Sequence, residues 1–485
     1  MKKLNFMFFA ALAAVCSFSS CSDDEPEATV GITAVRVATA EGTVRNGVID
    51  QNANTVTVTM PVTTLASELE SCTVTATATM GTTVTINGAA LENNTFDLSS
   101  PVTLTATGNG STKSYTLKVS CTEEETDLAS GKLISADITG GGLPDNTYNY
   151  SVALYNGKFY AFAASATEGV GAYKVYTSAD GKRWTEMSTT EVIGGMGAAP
   201  VVYNDKLYVL GGVRAIGTDQ NGEGPDVEDG GWWPELTLDT FRRFATTGSS
   251  WSDESIQGSL DDPEDRFKIS LATGTFGFIG VYPYIFKGKL YMQGGCGFSF
   301  GQLQGGRSNL YVADGNSFAA VTPTAGALRI ENTSFVLNNK VFNLGGCSGF
   351  ISATTLLANV FSSEDGENFT EVATETAVGP ICGATIVTNK AGNVAYLFGG
   401  CYYTEEGERA MNNNIYRSED GVEWTLVEGI NSDYAGSYRP SVVVNDNDVA
   451  YVFGGFGNFT GWYTPYSFTQ DDMKPVFSAW AFQLQ

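Results

Sequence analysis

A pair of glycines closes an apolar run five times in this chain. Tyr208-Val-Leu-Gly-Gly212, Tyr291-Met-Gln-Gly-Gly295, Phe342-Asn-Leu-Gly-Gly346, Tyr396-Leu-Phe-Gly-Gly400 and Tyr451-Val-Phe-Gly-Gly455 share one pattern. An earlier copy, Tyr160-Ala-Phe-Ala-Ala164, lacks the glycines. Ahead of the copies lies a strand-like run and a tight turn, as in Tyr155-Asn-Gly-Lys158 and Leu337-Asn-Asn-Lys340. Behind them comes a second turn and an aromatic: Asp180-Gly181 with Trp184, Asp365-Gly366 with Phe369, Asp420-Gly421 with Trp424. An Asp-Gly between apolar runs marks a hairpin, because a tight turn there needs positive φ. Each unit therefore reads strand, turn, strand, Gly-Gly, loop, strand, turn, aromatic strand. A four-stranded antiparallel unit recurring every few tens of residues is the mark of a propeller blade.

Counting gives six blades over residues 131–485. The last blade lacks a fourth strand, and the run Gly131–Ile138 occupies the place of one ahead of the first blade. That strand is expected to complete the last blade and close the ring, which removes two exposed edges. The double glycine and the tryptophan or phenylalanine of the fourth strand resemble the kelch family. The Asp-Gly strands also look like sialidase Asp-boxes. Ser178-Ala-Asp-Gly-Lys-Arg-Trp184 is one residue shorter than that box, so it is read as a structural turn.

Upstream, residues 29–121 alternate threonine with small or apolar residues, as in Thr55-Val-Thr-Val-Thr-Met60 and Tyr115-Thr-Leu-Lys-Val119. A period of two marks strands with one buried face, and about seven such strands point to an antiparallel β-sandwich. The stretch Ser100–Val119 looks like the end of the immunoglobulin-like domains that precede propellers in surface lipoproteins. This domain reads as a spacer. Residues 122–130, with Thr122-Glu-Glu-Glu-Thr-Asp127, read as an acidic, self-repelling linker. The fold class is therefore all-β, a sandwich followed by a six-bladed propeller.

Residues 1–20 carry Lys2-Lys3, an apolar run and small residues before Cys21. The run is too short to span a bilayer. It resembles a bacterial lipoprotein signal, although Phe18 stands where that signal has leucine. The acidic tether at 21–28 resembles the export tag of surface lipoproteins in glycan-foraging bacteria. The resemblance implies acylation of Cys21 and an outer-membrane anchor facing the cell exterior. In that oxidising compartment Cys72 and Cys121 are expected to pair, with two buried thiols as the alternative.

Composition excludes some chemistry. A net charge of −26 argues against nucleic acid, and the absence of histidine removes histidine-based catalysis and histidine-ligated metals. Candidate binding residues lie in the long loops on one face, where function concentrates. Trp232, Trp233, Tyr402, Tyr403, Trp462 and Tyr463 offer flat rings for stacking on sugars. Arg409 and Arg439 offer donors for carboxylates or hydroxyls. Asp219, Asn221 and Glu223 begin like a calcium loop, but Gly230 stands at its twelfth position, so a solvated acidic loop is the stronger reading. Cys296, Cys347 and Cys401 each follow a Gly-Gly and read as wall residues rather than a soft-metal site.

The leading function is a non-catalytic binding lipoprotein for a glycan or glycoprotein, monomeric or part of a surface complex. The alternatives are a carbohydrate-active enzyme, mutarotase-like with Glu331 and Arg329 or sialidase-like, and a scaffold for an outer-membrane complex.

Overall fold

The structure is a computed structural model. It describes residues 30–145, 147–165, 173–189, 198–210, 243–248, 250–253, 275–299, 302–306, 310–314, 317–321, 324, 329, 331–348, 352–459 and 473–485. Cys21, Asp219, Asn221, Glu223, Trp232, Trp233, Trp462 and Tyr463 lie outside the described residues.

The N-terminal domain has eight strands: β1 Ile32–Ala38, β2 Val44–Asp50, β3 Thr55–Pro61, β4 Thr73–Ala78, β5 Thr83–Ile86, β6 Ala89–Ala90, β7 Val102–Gly108 and β8 Ser111–Glu123. They form one hydrogen-bonded path, β4-β1-β2-β3-β8-β7-β5-β6. Two layers arise because β2 changes partner midway. Asn46 still pairs with β1, whereas Gly47 already pairs with β3. A Cβ on Gly47 would lie 2.7 Å from Val56, so only glycine fits where the strand crosses the core. The domain is not wholly antiparallel as expected, since β3 and β8 run parallel. The chain between them is long enough to carry four strands, and that length permits the crossover.

Six four-stranded blades follow. Their innermost strands are Thr147–Tyr155, Ala199–Tyr203, Thr275–Phe286, Thr333–Leu337, Cys382–Thr388 and Ser441–Val444. The strand β9 (Lys132–Ser135) pairs with Ala479–Gln483 as the outermost strand of the sixth blade, so both ends of the ring share one sheet.

The repeated residues explain how blades adhere. Trp424 of the fifth blade meets Phe335 of the fourth edge-on at 5.9 Å, and Trp184 of the first meets Phe453 of the sixth at 6.0 Å. The turn glycine has a second duty besides its φ of +81° at Gly421. A Cβ there would lie 2.8 Å from Phe342 of the preceding blade. The Asp-Gly boxes are local turns. Asp420 Oδ1 accepts from the backbone of Val422 at 2.9 Å and Glu423 at 2.8 Å, while Ser418 Oγ accepts from Gly421 N at 2.8 Å. Ser178/Asp180 and Ser363/Asp365 repeat the arrangement.

The double glycine does not always end its strand. In the third and fifth blades the second strand runs on through it, to Ser299 and Tyr403, and an extra short strand pairs with the extension.

The N-terminal domain docks on the face of the tight turns. Val62 and Leu65 enter the hydrophobic cluster of Phe159, Tyr451 and Phe453. Tyr451 OH donates to Thr63 O at 2.7 Å, Asn445 Nδ2 to Val62 O at 3.0 Å, and Ser67 Oγ to Gly157 O at 2.5 Å. Arg183 of the first blade pairs with Glu41. The acidic run at 122–130 is not a free linker. Thr122 and Glu123 belong to β8, Leu128 is buried, and Glu123 and Glu125 pair with Arg45 and Lys132. Two of the run's four carboxylates are paired in this way, and the buried Leu128 joins the propeller's hydrophobic cluster, so the chain stays against the propeller.

Candidate functional site

The six innermost strands surround a central cavity of about 390 Å³. Its wall carries Ser151, Thr333, Ser334, Thr385, Ser441 and Arg439. Three of the hydroxyls stitch neighbouring blades together. Thr333 Oγ1 donates to Ala384 O at 2.5 Å, Thr385 Oγ1 to Pro440 O at 2.6 Å, and Ser441 Oγ accepts from Val152 N at 3.0 Å. A β-branched or small hydroxyl near the start of an inner strand thus binds the next blade without filling the channel.

Two residues before each of those hydroxyls the backbone turns left-handed, with φ of 59° at Glu331, 62° at Gly383 and 57° at Arg439. Such a φ costs a non-glycine residue on the order of 1 kcal/mol or more. It is held by a chain of hydrogen bonds around the rim, Gly383 N to Glu331 O at 3.0 Å and Arg439 N to Gly383 O at 2.8 Å. Two charged side chains are thereby placed at equivalent positions of the fourth and sixth blades. Arg439 Nε lies 3.0 Å from Glu331 Oε2, with the carboxylate side chain 1% exposed. Tyr282 OH donates to the same oxygen at 2.8 Å. Burial pushes the Tyr282 phenol well above its ordinary value, and the Glu331 charge adds to this, so the phenol stays a donor.

Behind the wall, Gln293 and Asn332 are fully buried. Gln293 Oε1 accepts from Ser334 Oγ at 2.8 Å, while Gln293 Nε2 and Asn332 Oδ1 have no partner among the described residues. Burial of such groups is costly unless they are satisfied.

Inner strands begin on the long-loop face, opposite the docked N-terminal domain, so this cluster marks the loop-face mouth of the channel. Of the residues singled out in the sequence, Arg439 belongs to it. Its partner Glu331 was matched above with Arg329. Arg329 instead donates from Nη1 to Gly345 O at 2.7 Å and lies 5.1 Å over the Phe361 ring. Burial lowers the Arg329 guanidinium to about 10.

Tyr402, Tyr403 and Arg409 sit on the fifth-blade hairpin rather than in an irregular loop, with Tyr403 opposite Arg409. Arg409 Nη2 donates to Tyr403 OH at 3.1 Å, and its guanidinium lies 5.7 Å from the ring centre. Tyr402 points to the other side of the hairpin and is 39% exposed. Tyr403 and Arg409 therefore brace each other, and Tyr402 is the exposed ring.

Cys72 and Cys121 are free thiols rather than the expected bridge, and Cys347, Cys382 and Cys401 are free thiols in this structure too. Cys72 Sγ contacts the carbonyls of Glu68 and Leu69 at 3.6 Å, and burial raises both thiols to about 11. No cluster of three or more metal-binding side chains occurs among the described residues.

Sequence reasoning missed Tyr282, Gln293 and the hydroxyl belt. The belt was accessible, since Thr333, Thr385 and Ser441 recur near the start of inner strands.

No curated protein matches the chain. Solved structures do match, among them one described as "Structure of YjhT", at 13% identity and a TM-score of 0.46, covering 70% of this chain and 96% of that one. Residues 32–119 match the model of the family described as "SGBP, N-terminal", a domain of surface glycan-binding proteins.

Proposed function

We propose that this chain is a cell-surface glycan-binding protein, anchored through lipid on Cys21, that receives its ligand on the long-loop face of the propeller. The match of residues 32–119 to the surface glycan-binding N-terminal domain carries the proposal. The architecture supports it. The N-terminal domain occupies the turn face, which leaves the loop face on the opposite side of the ring. Tyr402 offers a flat exposed ring there. A ring of this kind stacks on a pyranose face, and Trp232, Trp233, Trp462 and Tyr463 are proposed to extend the platform. The Glu331 carboxylate is tied to Arg439 and Tyr282 and withdrawn from solvent, so binding is favoured over acid–base catalysis.

Isothermal titration against a panel of soluble polysaccharides tests this. A binder should be found, and Tyr402→Ala should weaken it about tenfold, the worth of one well-stacked ring. Silence across the panel, or full affinity in a Tyr402→Ala/Trp232→Ala/Trp462→Ala variant, would sink the reading.

A further inference from the structure

Cys382 opens the innermost strand of the fifth blade, and Cys401 stands directly opposite it on the second strand. Their Sγ atoms are 3.3 Å apart. Directly opposed residues of an antiparallel pair have Cα atoms about 4.5–5.5 Å apart, within the roughly 4.4–6.8 Å that a disulfide spans. A bond here needs the two Sγ atoms to close from 3.3 Å to about 2.05 Å. Both side chains are buried, at 1% and 0% exposure.

We propose that Cys382 and Cys401 are joined by a cross-strand disulfide in the exported protein, formed by exchange with an oxidised dithiol protein of the cell envelope. One cysteine, as thiolate, attacks the oxidant's disulfide and expels one of its sulfurs as thiolate, giving a mixed disulfide. The second cysteine then attacks its neighbour's sulfur and expels the oxidant's other sulfur. Two electrons pass to the oxidant, which leaves as a dithiol carrying the two protons that the cysteines lose.

The timing follows from the surroundings. In the closed blade, burial raises the Cys382 thiol well above its ordinary value, and its contact with Cys401 adds to this. Thiolate is therefore scarce in the finished ring, and exchange belongs to the stage before the blade is covered. Cys347 acts electrostatically on Cys382, yet Cys401 holds the contact position. The bond also has a use. Tyr402 follows Cys401 directly, so the cross-link pins the base of the hairpin that carries Tyr402, Tyr403 and Arg409.

The test is peptide mapping of full-length protein recovered from the cell envelope and alkylated with N-ethylmaleimide in denaturant without reduction. A linked peptide pair joining Cys382 to Cys401, lost on reduction and retained in Cys347→Ser, is the expected result. Alkylated Cys382 and Cys401, or a link from Cys382 to Cys347, overturns the proposal. Because the proposal rests on the export reading, a second sample assigns any failure: reduced full-length protein refolded with glutathione disulfide. Linkage in this sample alone faults the export reading, whereas linkage in neither faults the cross-strand geometry.

Discussion

Arg439 and Glu331 meet at 3.0 Å from left-handed positions two blades apart, with Gly383 occupying the equivalent place between them. A Cβ on Gly383 would lie 2.1 Å from the Tyr438 ring, so the middle position is kept bare. Removing one member of such a pair leaves a buried charge uncompensated, at a cost of about 3–5 kcal/mol, whereas removing both costs less. Arg439→Met should therefore lower the thermal midpoint clearly, and Glu331→Gln/Arg439→Met should recover part of the loss. Calorimetry on the parent, both single variants and the double variant decides it. A double-variant loss equal to the sum of the two single losses would mean that the pair is not coupled.

Glu68 ties pH to the docking of the N-terminal domain. Its carboxylate accepts from Leu65 N at 3.0 Å beside the first-blade turns. Burial raises it from 4.5 to about 7, with Asp180 and Glu125 adding to the shift while the Leu65 N–H and Lys182 oppose it. A folded-state value above the unfolded one means that the folded protein holds the proton more tightly. The stabilisation is thus complete below pH 4.5 and is lost as pH rises to about 7. Its full size is at most about 3–4 kcal/mol, at ~1.4 kcal/mol per unit. Glu68→Gln keeps an oxygen for Leu65 N and should be the more stable protein at pH 8, with the difference vanishing in acid. Melting curves across pH read it directly.

Asp365 works in the opposite sense. Burial would raise it, but hydrogen bonds from Asn368, Glu367 and Ser363 prevail and hold it well below the usual carboxylate range. Its contribution is present above the unfolded value of 3.8 and is lost as pH falls towards the folded one. Asp365→Asn should lower stability in the neutral region, with the difference shrinking as pH falls, so that the acid limb of the profile flattens. An acid limb as steep as that of the parent protein would show that the turn does not depend on the charge.

What the sequence discloses follows from how local each feature is. Gly-Gly and Asp-Gly-x-x-Trp are readable because a turn imposes its chemistry within a few residues. Glu331 and Arg439 were not readable as a pair, because nothing in Ile-Glu-Asn or Tyr-Arg-Pro announces a left-handed backbone. Their meeting depends on ring closure over a hundred residues. The Cys382–Cys401 contact lies between these extremes. The turn at Asn389–Asn393 fixes the register Thr388↔Ala395, and counting outward from it places Cys382 against Cys401. The docking of the N-terminal domain left no sequence signal, since Val62 and Leu65 look like ordinary sandwich residues until the propeller covers them.

The turn glycines allow a matched comparison. Gly421 and Gly407 both have positive φ, 81° and 79°, so alanine pays a similar conformational penalty of about 1 kcal/mol at each. They differ in surroundings. A Cβ at Gly407 meets nothing within 4 Å, whereas at Gly421 it lies 2.8 Å from the Phe342 ring of the preceding blade. Overpacking at such a contact adds roughly 1–3 kcal/mol. Gly421→Ala should therefore lower the thermal midpoint two- to fourfold more than Gly407→Ala, by the ratio of those penalties. The smaller Gly421→Ala/Phe342→Leu combination should recover part of the difference. Equal shifts at the two glycines would mean that the repeat keeps Asp-Gly for its turn alone, and that blade-to-blade packing places no demand on it.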